Sequence, residues 1–289
     1  MSGQTVAVTG ASGYVGSLIV DALKPHLRVI RLVRGAQSQD NITWSFASDP
    51  ASLTAELRER GVTHLIHAAW DMKANSLAEV ERSCVTGSSR LFAAAEAAGV
   101  KKLIFISTIS AFAGARSAYG RSKLMVEEMV LRRHGIVLRL GLVYGEGEGG
   151  VFGNLKKVVR SARFVPMIGD GSAPQYLLHE HTLAEVVSSA VNGALDNAAA
   201  PVTVAQPQPI AFRTLLRHLA ASEGRKITLI ALPWRLLYYG LSLAETAGLK
   251  LNFRSDSVIS FIFQDKSPDF SAMAAYGIEP LRLKLADAN

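Results

Sequence analysis

Tyr119 and Lys123 form a Tyr-x-x-x-Lys pair within the run Ala118-Tyr-Gly-Arg-Ser-Lys123. Residues four apart lie on one face of a helix, so the lysine ammonium can lie beside the tyrosine hydroxyl and favour the phenolate. A tyrosine whose pKa is lowered in this way can act as an acid or a base near neutral pH. An ordinary solvated helix face contains the same pair, so the assignment depends on other motifs.

Three glycines follow a short apolar run at the beginning of the sequence, in Gln4-Thr-Val-Ala-Val-Thr-Gly10-Ala-Ser-Gly13-Tyr-Val-Gly16. This order predicts a buried strand, a tight turn and a helix. Gly10 suits the turn, Gly13 lets a pyrophosphate approach the backbone, and Gly16 lets the helix pack closely on the strand. The pattern predicts a dinucleotide site, although spaced glycines are a weak signal in a chain that has 24 of them.

Apolar runs alternate with helical patterns through the first half of the chain. The predicted strands are residues 5–9, 28–33, 64–68, 102–107 and 137–140, and the intervening helices include residues 79–98 and 118–133. This alternation predicts an α/β fold, a Rossmann-like doubly wound parallel sheet. Turn residues become frequent from about residue 147. Residues 1–146 are therefore predicted to form the dinucleotide-binding core, and residues 147–289 mainly a small C-terminal substrate lobe with some segments returning to the core.

Composition argues against several other classes of protein. The formal charge is +7, but no dense basic run with interleaved aromatic residues suggests a nucleic-acid partner, so the excess predicts a mild attraction for anionic small molecules. Cys84 is the single cysteine, which excludes an intramolecular disulfide and suits a cytoplasmic enzyme, as does the lack of a signal-like N-terminus. Residues 230–251 are apolar but contain a proline and three charged residues, so they predict an amphipathic helix over a cleft or partner, and no membrane partner.

Five motifs together resemble the extended short-chain dehydrogenase/reductases, a family of nucleotide-sugar epimerases, dehydratases and ketoreductases. The motifs are Thr9-Gly-Ala-Ser-Gly-Tyr-Val-Gly16, His64-Leu-Ile-His-Ala-Ala69, Ala98-Gly-Val-Lys-Lys-Leu-Ile-Phe-Ile-Ser-Thr108, Tyr119-Gly-Arg-Ser-Lys123 and Leu138-Arg-Leu-Gly-Leu-Val-Tyr-Gly145. The motifs keep the order and spacing of the family, and the likeness covers nearly the whole chain. The resemblance also implies a homodimer through helices 79–98 and 118–133. Packing of these helices on the sheet would explain their apolar residues equally well.

The resemblance implies a catalytic set of Thr108, Tyr119 and Lys123. Tyr119 would give or take the proton, Lys123 would lower its pKa and hold the nicotinamide ribose, and Thr108 would hydrogen-bond the substrate carbonyl. Ser107 and Ser110 compete with Thr108 for the last role. The implied substrate contacts are Trp70, Thr108 and Tyr144. The implied cofactor contacts are Gly10, Ser12, Gly13, Tyr14, Val15, Gly16, Arg34, Asp49, Ala68, Ala69, Tyr119 and Lys123.

The end of the second predicted strand favours NADP over NAD. Val33 stands where NAD-type members have an aspartate, and the following Arg34 can pair with a 2′-phosphate. The alternative is that Arg31 or Arg34 only solvates the strand end, in which case strand alternation would point Arg31 away from the cofactor. Asp49 resembles an adenine-contacting aspartate of the family, but an N-cap explains it equally well.

Some positions depart from the family pattern. Cys84 replaces an asparagine of the family and is predicted to be a buried, inert thiol rather than a nucleophile. Leu142 and Gln175 replace two residues that bind the substrate diphosphate in nucleotide-sugar enzymes. Nearby cations could bind a diphosphate from another direction or form a solvated helix face: Lys156, Lys157 and Arg160. His179 and His181 lack a third ligand, so no metal is predicted.

The sequence therefore predicts an NADP-dependent oxidoreductase that reduces or epimerises a keto-sugar or nucleotide-sugar. A reductase of a small non-nucleotide ketone or aldehyde is the alternative within enzymes. A non-catalytic NADP-binding sensor or assembly protein is the alternative from another class, and the intact Tyr119 and Lys123 pair argues against it.

Overall fold

The computed structural model describes residues 3–35, 37–71, 76–249 and 253–283. The strands are β1 (Thr5–Thr9), β2 (Arg28–Val33), β3 (Asn41–Thr43), β4 (His64–His67), β5 (Lys102–Thr108), β6 (Ile136–Leu140), β7 (Leu142–Tyr144), β8 (Phe164–Ile168), β9 (Pro174–Gln175), β10 (Leu177–His179), β11 (Val202–Val204), β12 (Ile210–Ala211) and β13 (Thr228–Leu232). The helices are α1 (Tyr14–Leu23), α2 (Pro50–Glu59), α3 (Leu77–Val80), α4 (Thr86–Ala98), α5 (Ala118–Leu131), α6 (Gly150–Ser161), α7 (Glu180–Val191), α8 (Phe212–Ser222), α9 (Trp234–Thr246), α10 (Ser255–Ile262) and α11 (Ser271–Ala275).

A seven-stranded parallel sheet forms the centre, in the order β11-β6-β5-β4-β1-β2-β3. Strands β1 and β4 at its centre are buried on both faces because helices cover both sides, as parallel sheets require. The α/β, Rossmann-like prediction is confirmed. The sequence pattern missed the two edge strands, β3 and β11, because each has only three residues.

Each face of the sheet has its own apolar core. One core joins the sheet to α1 and α7, with Ile19 and Leu183 fully buried. The other joins it to α2, α4 and α5, with Phe92 and Val126 fully buried. The apolar residues of α4 and α5 thus pack on the sheet, which is the alternative noted for these helices, and the homodimer stays a prediction.

The predicted helix 79–98 is divided in the structure. It consists of α3, a π-helical turn (Glu81–Val85) and α4, and it ends at Gly99, whose φ of 85° is left-handed. The π turn inserts an extra residue, an arrangement common at functional sites. Cys84 lies in this turn, facing the site described below.

The remaining elements form a smaller lobe with its own core, which includes Phe152, Val165 and Leu215. Strands β8 and β13 pair in parallel, and α6 packs against α8. Helix α7 and strand β11 belong instead to the central sheet and its cover, so segments beyond residue 147 do return to it. The domain boundary itself stays a prediction. Among the described residues, no helix combines the length and the apolar character needed to cross a bilayer.

Candidate active site

The glycine turn after β1 can be built only with glycine at two positions. Gly10 has a φ of +69°, and a Cβ on it would lie 2.7 Å from the backbone nitrogen of Ala69. A Cβ on Gly16 would lie 2.0 Å from the carbonyl oxygen of Gly10, so α1 could not pack so close to the turn. Ser12 and Gly13 are exposed at the N-terminus of α1. Bare backbone therefore faces outward beside a helix N-terminus, which fits a dinucleotide pyrophosphate.

The hydroxyl of Thr9 joins this turn to the end of β4. Its oxygen accepts hydrogen bonds from the backbone nitrogens of Ala68 and Ala69, both at 3.1 Å. The Thr9 hydroxyl in turn donates a hydrogen bond to Nδ1 of His67, 2.7 Å away. Burial lowers the pKa of His67 to about 3, so the imidazole is neutral. The predicted cofactor contacts Ala68 and Ala69 are thereby fixed next to Gly10.

Tyr14 lies between the glycine turn and the loop before α6. A Cβ on Gly149 or Gly150 would collide with its ring, at 2.3 and 2.5 Å respectively. Burial raises the pKa of Tyr14, with a smaller contribution from the Glu180 carboxylate. Its hydroxyl is buried without a hydrogen-bond partner. Val15, its neighbour in the motif, is partly buried against the first core.

The two arginines of β2 and its end differ in surroundings. Arg31 lies on the same face of the strand as Val33 and places Nη2 3.5 Å from the carbonyl oxygen of Ala11. It does not point away from the nucleotide turn, as the alternative for this residue assumed. Its Nε is buried without a partner. Arg34 is exposed just beyond the strand, where a ligand can reach it.

Asp49 is the N-cap of α2. Its Oδ2 accepts a hydrogen bond from the backbone nitrogen of Ser52 at 2.9 Å. The structure thus contains the capping role that the sequence left open, and contact with adenine stays a prediction.

The N-terminus of α5 is capped from two directions. The Ser117 side chain accepts a hydrogen bond from the nitrogen of Gly120 at 3.1 Å. Asp256, at the start of α10, accepts hydrogen bonds from the nitrogens of Ala118 and Tyr119 at 2.7 and 3.1 Å. A carboxylate there also favours the positive end of the helix dipole. Sequence reasoning missed Asp256 because 137 residues separate it from Tyr119.

Tyr119 and Thr108 meet above the end of β5. Burial raises the pKa of Tyr119 to about 12, and the nearby Thr108 hydroxyl opposes that rise. Thr108 also accepts a hydrogen bond from the nitrogen of Ser110 at 3.2 Å. Ser107 is directed elsewhere, because its hydroxyl donates to Glu127 at 2.5 Å. Of the two competing serines, Ser107 is therefore occupied in a buried contact.

Lys123 lies one helical turn after Tyr119, with its Nζ 5.9 Å from the centre of the phenol ring, and its action on the phenol stays a prediction. Its Nζ donates to the carbonyl oxygen of Ile106 at 2.8 Å and lies 4.1 Å from the centre of the Trp70 ring. Burial lowers the pKa of Lys123 to about 7, opposed by Cys84 and Glu127. Its charge contributes nothing resolved to the pKa of Tyr119, which is raised rather than lowered. Trp70 covers this lysine and meets the Tyr119 ring edge-on, 6.1 Å away.

A buried carboxylate supports Lys123 from beneath. Glu127 follows Lys123 by one helical turn and is 2% exposed. It accepts a hydrogen bond from the Ser107 hydroxyl. Arg139 binds both of its oxygens, with the shortest contact at 2.6 Å. The Glu127 side chain is therefore fully engaged, as a buried charge requires. The i, i+4, i+8 spacing from Tyr119 was visible in the sequence, but the partners on β5 and β6 were not.

Cys84 is fully buried beside these groups. Its Sγ accepts a hydrogen bond from the backbone nitrogen of Asp71 at 3.2 Å. Burial is the main cause that raises the pKa of Cys84, so it remains a thiol. These facts agree with the prediction of an inert cysteine.

Tyr144 does not line open space. It is 5% exposed, and its hydroxyl is held by the carbonyl of Leu281 and the side-chain amide of Gln206 at 3.3 and 3.1 Å. Its ring packs on Phe152 and His179. Tyr144 thus supports the lobe, and its contact with substrate stays a prediction.

The cations that were candidates for a diphosphate are partly occupied. Arg160 pairs with Glu148 at 2.7 Å and with Glu223 at 2.9 Å. Lys156 donates to the carbonyl of Gly145 at 3.2 Å, whereas Lys157 is exposed. Arg160 therefore stabilises the lobe surface instead of offering a free charge.

His179 is the N-cap of α7, with its Nδ1 accepting from the nitrogen of His181 at 3.1 Å. Among the described residues, no group of three or more histidine, cysteine or carboxylate side chains could hold a metal ion.

Comparison with known families agrees with this geometry. A model of the NAD dependent epimerase/dehydratase family matches residues 6–197. The chain belongs to this family. The resemblance to extended short-chain dehydrogenase/reductases is thereby confirmed, and the protein is an oxidoreductase-type enzyme of an NAD(P)-dependent family.

Individual relatives of this family member are distant. A 4-hydroxy-2-methyl-3-oxo-4-farnesyl-3,4-dihydroquinoline-1-oxide ketoreductase of Stigmatella aurantiaca is 24% identical over 269 residues, covering 83% of this chain and 79% of the relative. A GDP-6-OMe-4-keto-L-xylo-heptose reductase from C. jejuni superposes with a TM-score of 0.74 at 11% identity, covering 98% and 95% of the two chains. A UDP-glucose 4-epimerase from Thermotoga maritima gives 0.71 at 19% identity, covering 96% and 94%. The two structural similarities show the fold.

Proposed function

We propose that this epimerase/dehydratase-family member is an NADP-dependent carbonyl reductase, with a keto-sugar as its first candidate substrate. The observation that carries the proposal is the placement of Tyr119 next to Thr108 at the end of β5, with Lys123 one helical turn further along α5. A phenol whose pKa is about 12 holds its proton at neutral pH. That is the form that gives a proton in the reduction direction, whereas oxidation needs the phenolate first.

Each catalytic side chain has one task in this reaction. Bound NADPH supplies a hydride to the carbonyl carbon. Tyr119 donates its proton to the carbonyl oxygen, so a ketone becomes an alcohol with charge and atoms balanced. Thr108 donates a hydrogen bond to the same oxygen and stabilises the negative charge that develops there. Lys123 holds the ribose and, near its pKa of about 7, can exchange a proton with the site.

The NADP preference rests on Val33 and Arg34 at the end of β2. Val33 presents no carboxylate to repel a 2′-phosphate. Arg34 is exposed there, whereas Arg31 contacts the Ala11 carbonyl in the turn and is proposed to serve both nucleotides. The remaining cofactor contacts are proposed at Gly10, Ser12, Gly13, Tyr14, Val15, Gly16, Asp49, Ala68 and Ala69.

A nucleotide-linked keto-sugar is the first substrate class, in line with the names of the structural relatives. The C. jejuni protein is a reductase of a GDP-linked keto-heptose, and the Thermotoga protein is an epimerase with UDP-glucose. An epimerase would use the same three residues and retain its cofactor through both half-reactions.

A ketone without a nucleotide is the second substrate class, and a specific observation favours it. Arg160 is engaged by two carboxylates, and Gln175 donates to the carbonyls of Ala173 and Pro174. Neither side chain is placed to receive a diphosphate. The Stigmatella relative acts on a farnesylated quinoline, which is a ketone of this second kind by its name.

The test is a titration of the purified protein with NADPH, NADH, UDP and GDP, followed by turnover of nucleotide-linked 4-keto-sugars and of apolar ketones. NADPH binding with oxidation of NADPH by either ketone class supports the reductase, and the class that turns over identifies the substrate. NADPH-independent interconversion of sugars would replace the reductase with an epimerase. Absence of dinucleotide binding would overturn the proposal altogether.

The matched variant for this test is Tyr119→Phe. It keeps the ring that packs against Trp70 but removes the proton donor. NADPH affinity should stay within about two-fold, whereas turnover should fall by about 10²- to 10⁴-fold. Full turnover in this variant would contradict the assigned role. Tyr276→Phe makes the same change at a partly buried tyrosine packed against the first core, and it is the control that keeps turnover within a few-fold.

A further inference from the structure

Helix α9 leaves one apolar face uncovered. Leu236, Tyr239 and Leu243 follow one another at i, i+3 and i+7 and are 68%, 68% and 73% exposed. On the other side of the helix Leu237 and Leu241 are half-buried, and α9 packs against α10. The helix is therefore already docked to the lobe through one face, and the exposed apolar face is a second one.

Apolar exposure is concentrated around this helix. Six of the ten large apolar side chains that are exposed among the described residues belong to one stretch of the chain: Ile230, Leu236, Tyr239, Leu243, Leu249 and Phe253. Scattered exposed apolar residues are ordinary on a soluble surface, but a group of this kind marks a contact surface.

The same stretch is basic. Residues 224–254 contain five basic residues and one acidic residue, Glu245, which gives a net charge of +4. The Glu245 carboxylate is turned toward α10, because its oxygens accept hydrogen bonds from the backbone nitrogen and the hydroxyl of Ser255 at 2.9 and 2.6 Å. Arg225, Lys226 and Arg235 are exposed. Arg235 belongs to α9 itself, whereas Arg225 and Lys226 precede β13. A cation beside an exposed apolar helix face is complementary to anionic lipid headgroups above an acyl layer.

We propose that the exposed face of α9, with its flanking cations, binds the surface of an anionic lipid bilayer. The helix would lie in the plane of the interface, with Leu236, Tyr239 and Leu243 inserted and Arg235 at the headgroup level. The sequence predicts no membrane partner, because residues 230–251 are too polar to span a bilayer. Binding of α9 to the bilayer surface departs from that prediction but does not require spanning. The proposal goes beyond the proposed function and needs neither cofactor nor substrate.

A second copy of the chain is the competing occupant, and two observations disfavour it. An interface between two α9 faces would bring the same exposed cations, including Arg235, toward each other. Three side chains also cover far less than the about 800 Å² per partner of a standard stable interface. A bilayer has neither requirement, because its charge is opposite and its surface is continuous.

The location of the surface gives it a route to the site. Glu245 on α9 accepts a hydrogen bond from the backbone nitrogen of Ser255 on α10. The next residue, Asp256, accepts one from the backbone nitrogen of Tyr119. A membrane contact on α9 would therefore lie on the lobe that caps the catalytic helix.

The experiment is flotation of the purified full-length protein with vesicles of phosphatidylcholine alone and of equal phosphatidylcholine and phosphatidylglycerol. We expect binding to the anionic vesicles, weakened by added potassium chloride. The double variant Leu236→Asn/Leu243→Asn should lose about ten-fold or more of that binding, since both leucines leave water when the face inserts. Val151→Asn/Val158→Asn removes exposed apolar side chains from α6 and is the control that should keep it.

Thermal unfolding of each variant checks that it is folded. Equal flotation of the wild type and the α9 variant, or no flotation with anionic vesicles, would overturn the proposal. Light scattering after size exclusion identifies the competing occupant: a dimer that the α9 variant dissociates would assign this face to a second copy. Because flotation is measured without nucleotide, its failure is separate from any failure of the reductase assignment.

Discussion

The carboxylate of Asp256 accepts a hydrogen bond from the backbone nitrogen of Tyr119 at 3.1 Å, and a shorter one, 2.7 Å, from that of Ala118. These amides are two of those that a helix leaves without intrahelical partners at its N-terminus. The start of α10 therefore completes the first turn of the helix that carries Tyr119. This contact makes the backbone position of Tyr119 depend on a residue far away in the sequence.

Removing this cap should affect both folding and catalysis. Asp256→Ala leaves two amide donors without a partner, so we expect the free energy of unfolding to fall by about 1–2 kcal/mol. We expect kcat to fall about ten-fold because the Tyr119 hydroxyl is less well placed, with NADPH affinity nearly unchanged. Urea unfolding and steady-state kinetics measure these effects.

Asp269→Ala is the matched control for that cap. Asp269 accepts the nitrogen of Ser271 at 2.8 Å at the start of α11, away from the catalytic helix. It should cost stability without a comparable loss of kcat. Equal loss of kcat in both variants would mean that Asp256 acts only through general stability.

The hydroxyl that holds the carbonyl oxygen can be identified by a second comparison. Thr108→Val keeps the shape of the side chain and removes the hydroxyl next to Tyr119, so we expect kcat/KM to fall about 10²-fold. Ser107→Ala removes instead the donor to Glu127 and should act mainly on stability. Kinetics and urea unfolding of the two variants check this. A larger kinetic loss in the Ser107 variant would move the oxyanion role to that residue.

The central fold could be predicted from the sequence because its signals are local. The first two strands, residues 5–9 and 28–33, are observed with the predicted bounds, since a buried parallel strand is an uninterrupted apolar run between turn residues. The glycines of the nucleotide turn are also a local signal, because Gly10 has a φ of +69° that other residues rarely adopt. The edge strand β11 carries only Val202–Val204 and depends on its partner β6, so no local pattern predicts it.

The site was predicted less completely because its electrostatics depend on burial and distant partners. The helical spacing of Tyr119 and Lys123 predicts a lowered pKa for the phenol. Burial instead raises the pKa of Tyr119 and lowers that of Lys123, and the Trp70 ring lies over the ammonium. The π-helical turn that carries Cys84 into contact with these groups has no recognisable sequence pattern.

The two arginines near the end of β2 predict different effects on cofactor choice. Arg34→Leu should lower the preference for NADPH over NADH by about 10- to 100-fold, since it removes the charge proposed to pair with the 2′-phosphate. Arg31→Leu removes the contact with the Ala11 carbonyl in the turn and should weaken NADPH and NADH alike. Kinetics with both nucleotides separate these patterns. The reverse pattern would place the 2′-phosphate on Arg31.

The buried ammonium of Lys123 gives the free protein a specific dependence of stability on pH. Its pKa is about 7 in the folded protein and 10.5 in the unfolded chain. Below pH 7 both states are protonated, and the folded state bears the full cost of burying the charge. Between these two values the unfolded state binds more protons, so stability rises with pH, by at most about 1.4 kcal/mol per pH unit.

Lys123→Met removes this titration while keeping an apolar side chain of similar length. We expect the free energy of unfolding of the wild type to rise relative to that of this variant, measured in urea at three pH values between about 7 and 9.5. Lys101→Met, at an exposed lysine, should follow the wild type in parallel. If the wild type and the Lys123 variant also ran in parallel, Lys123 would be charged throughout this range. Its ammonium would then remain next to Tyr119 at every working pH, and the proton exchange assigned to Lys123 would have to be abandoned.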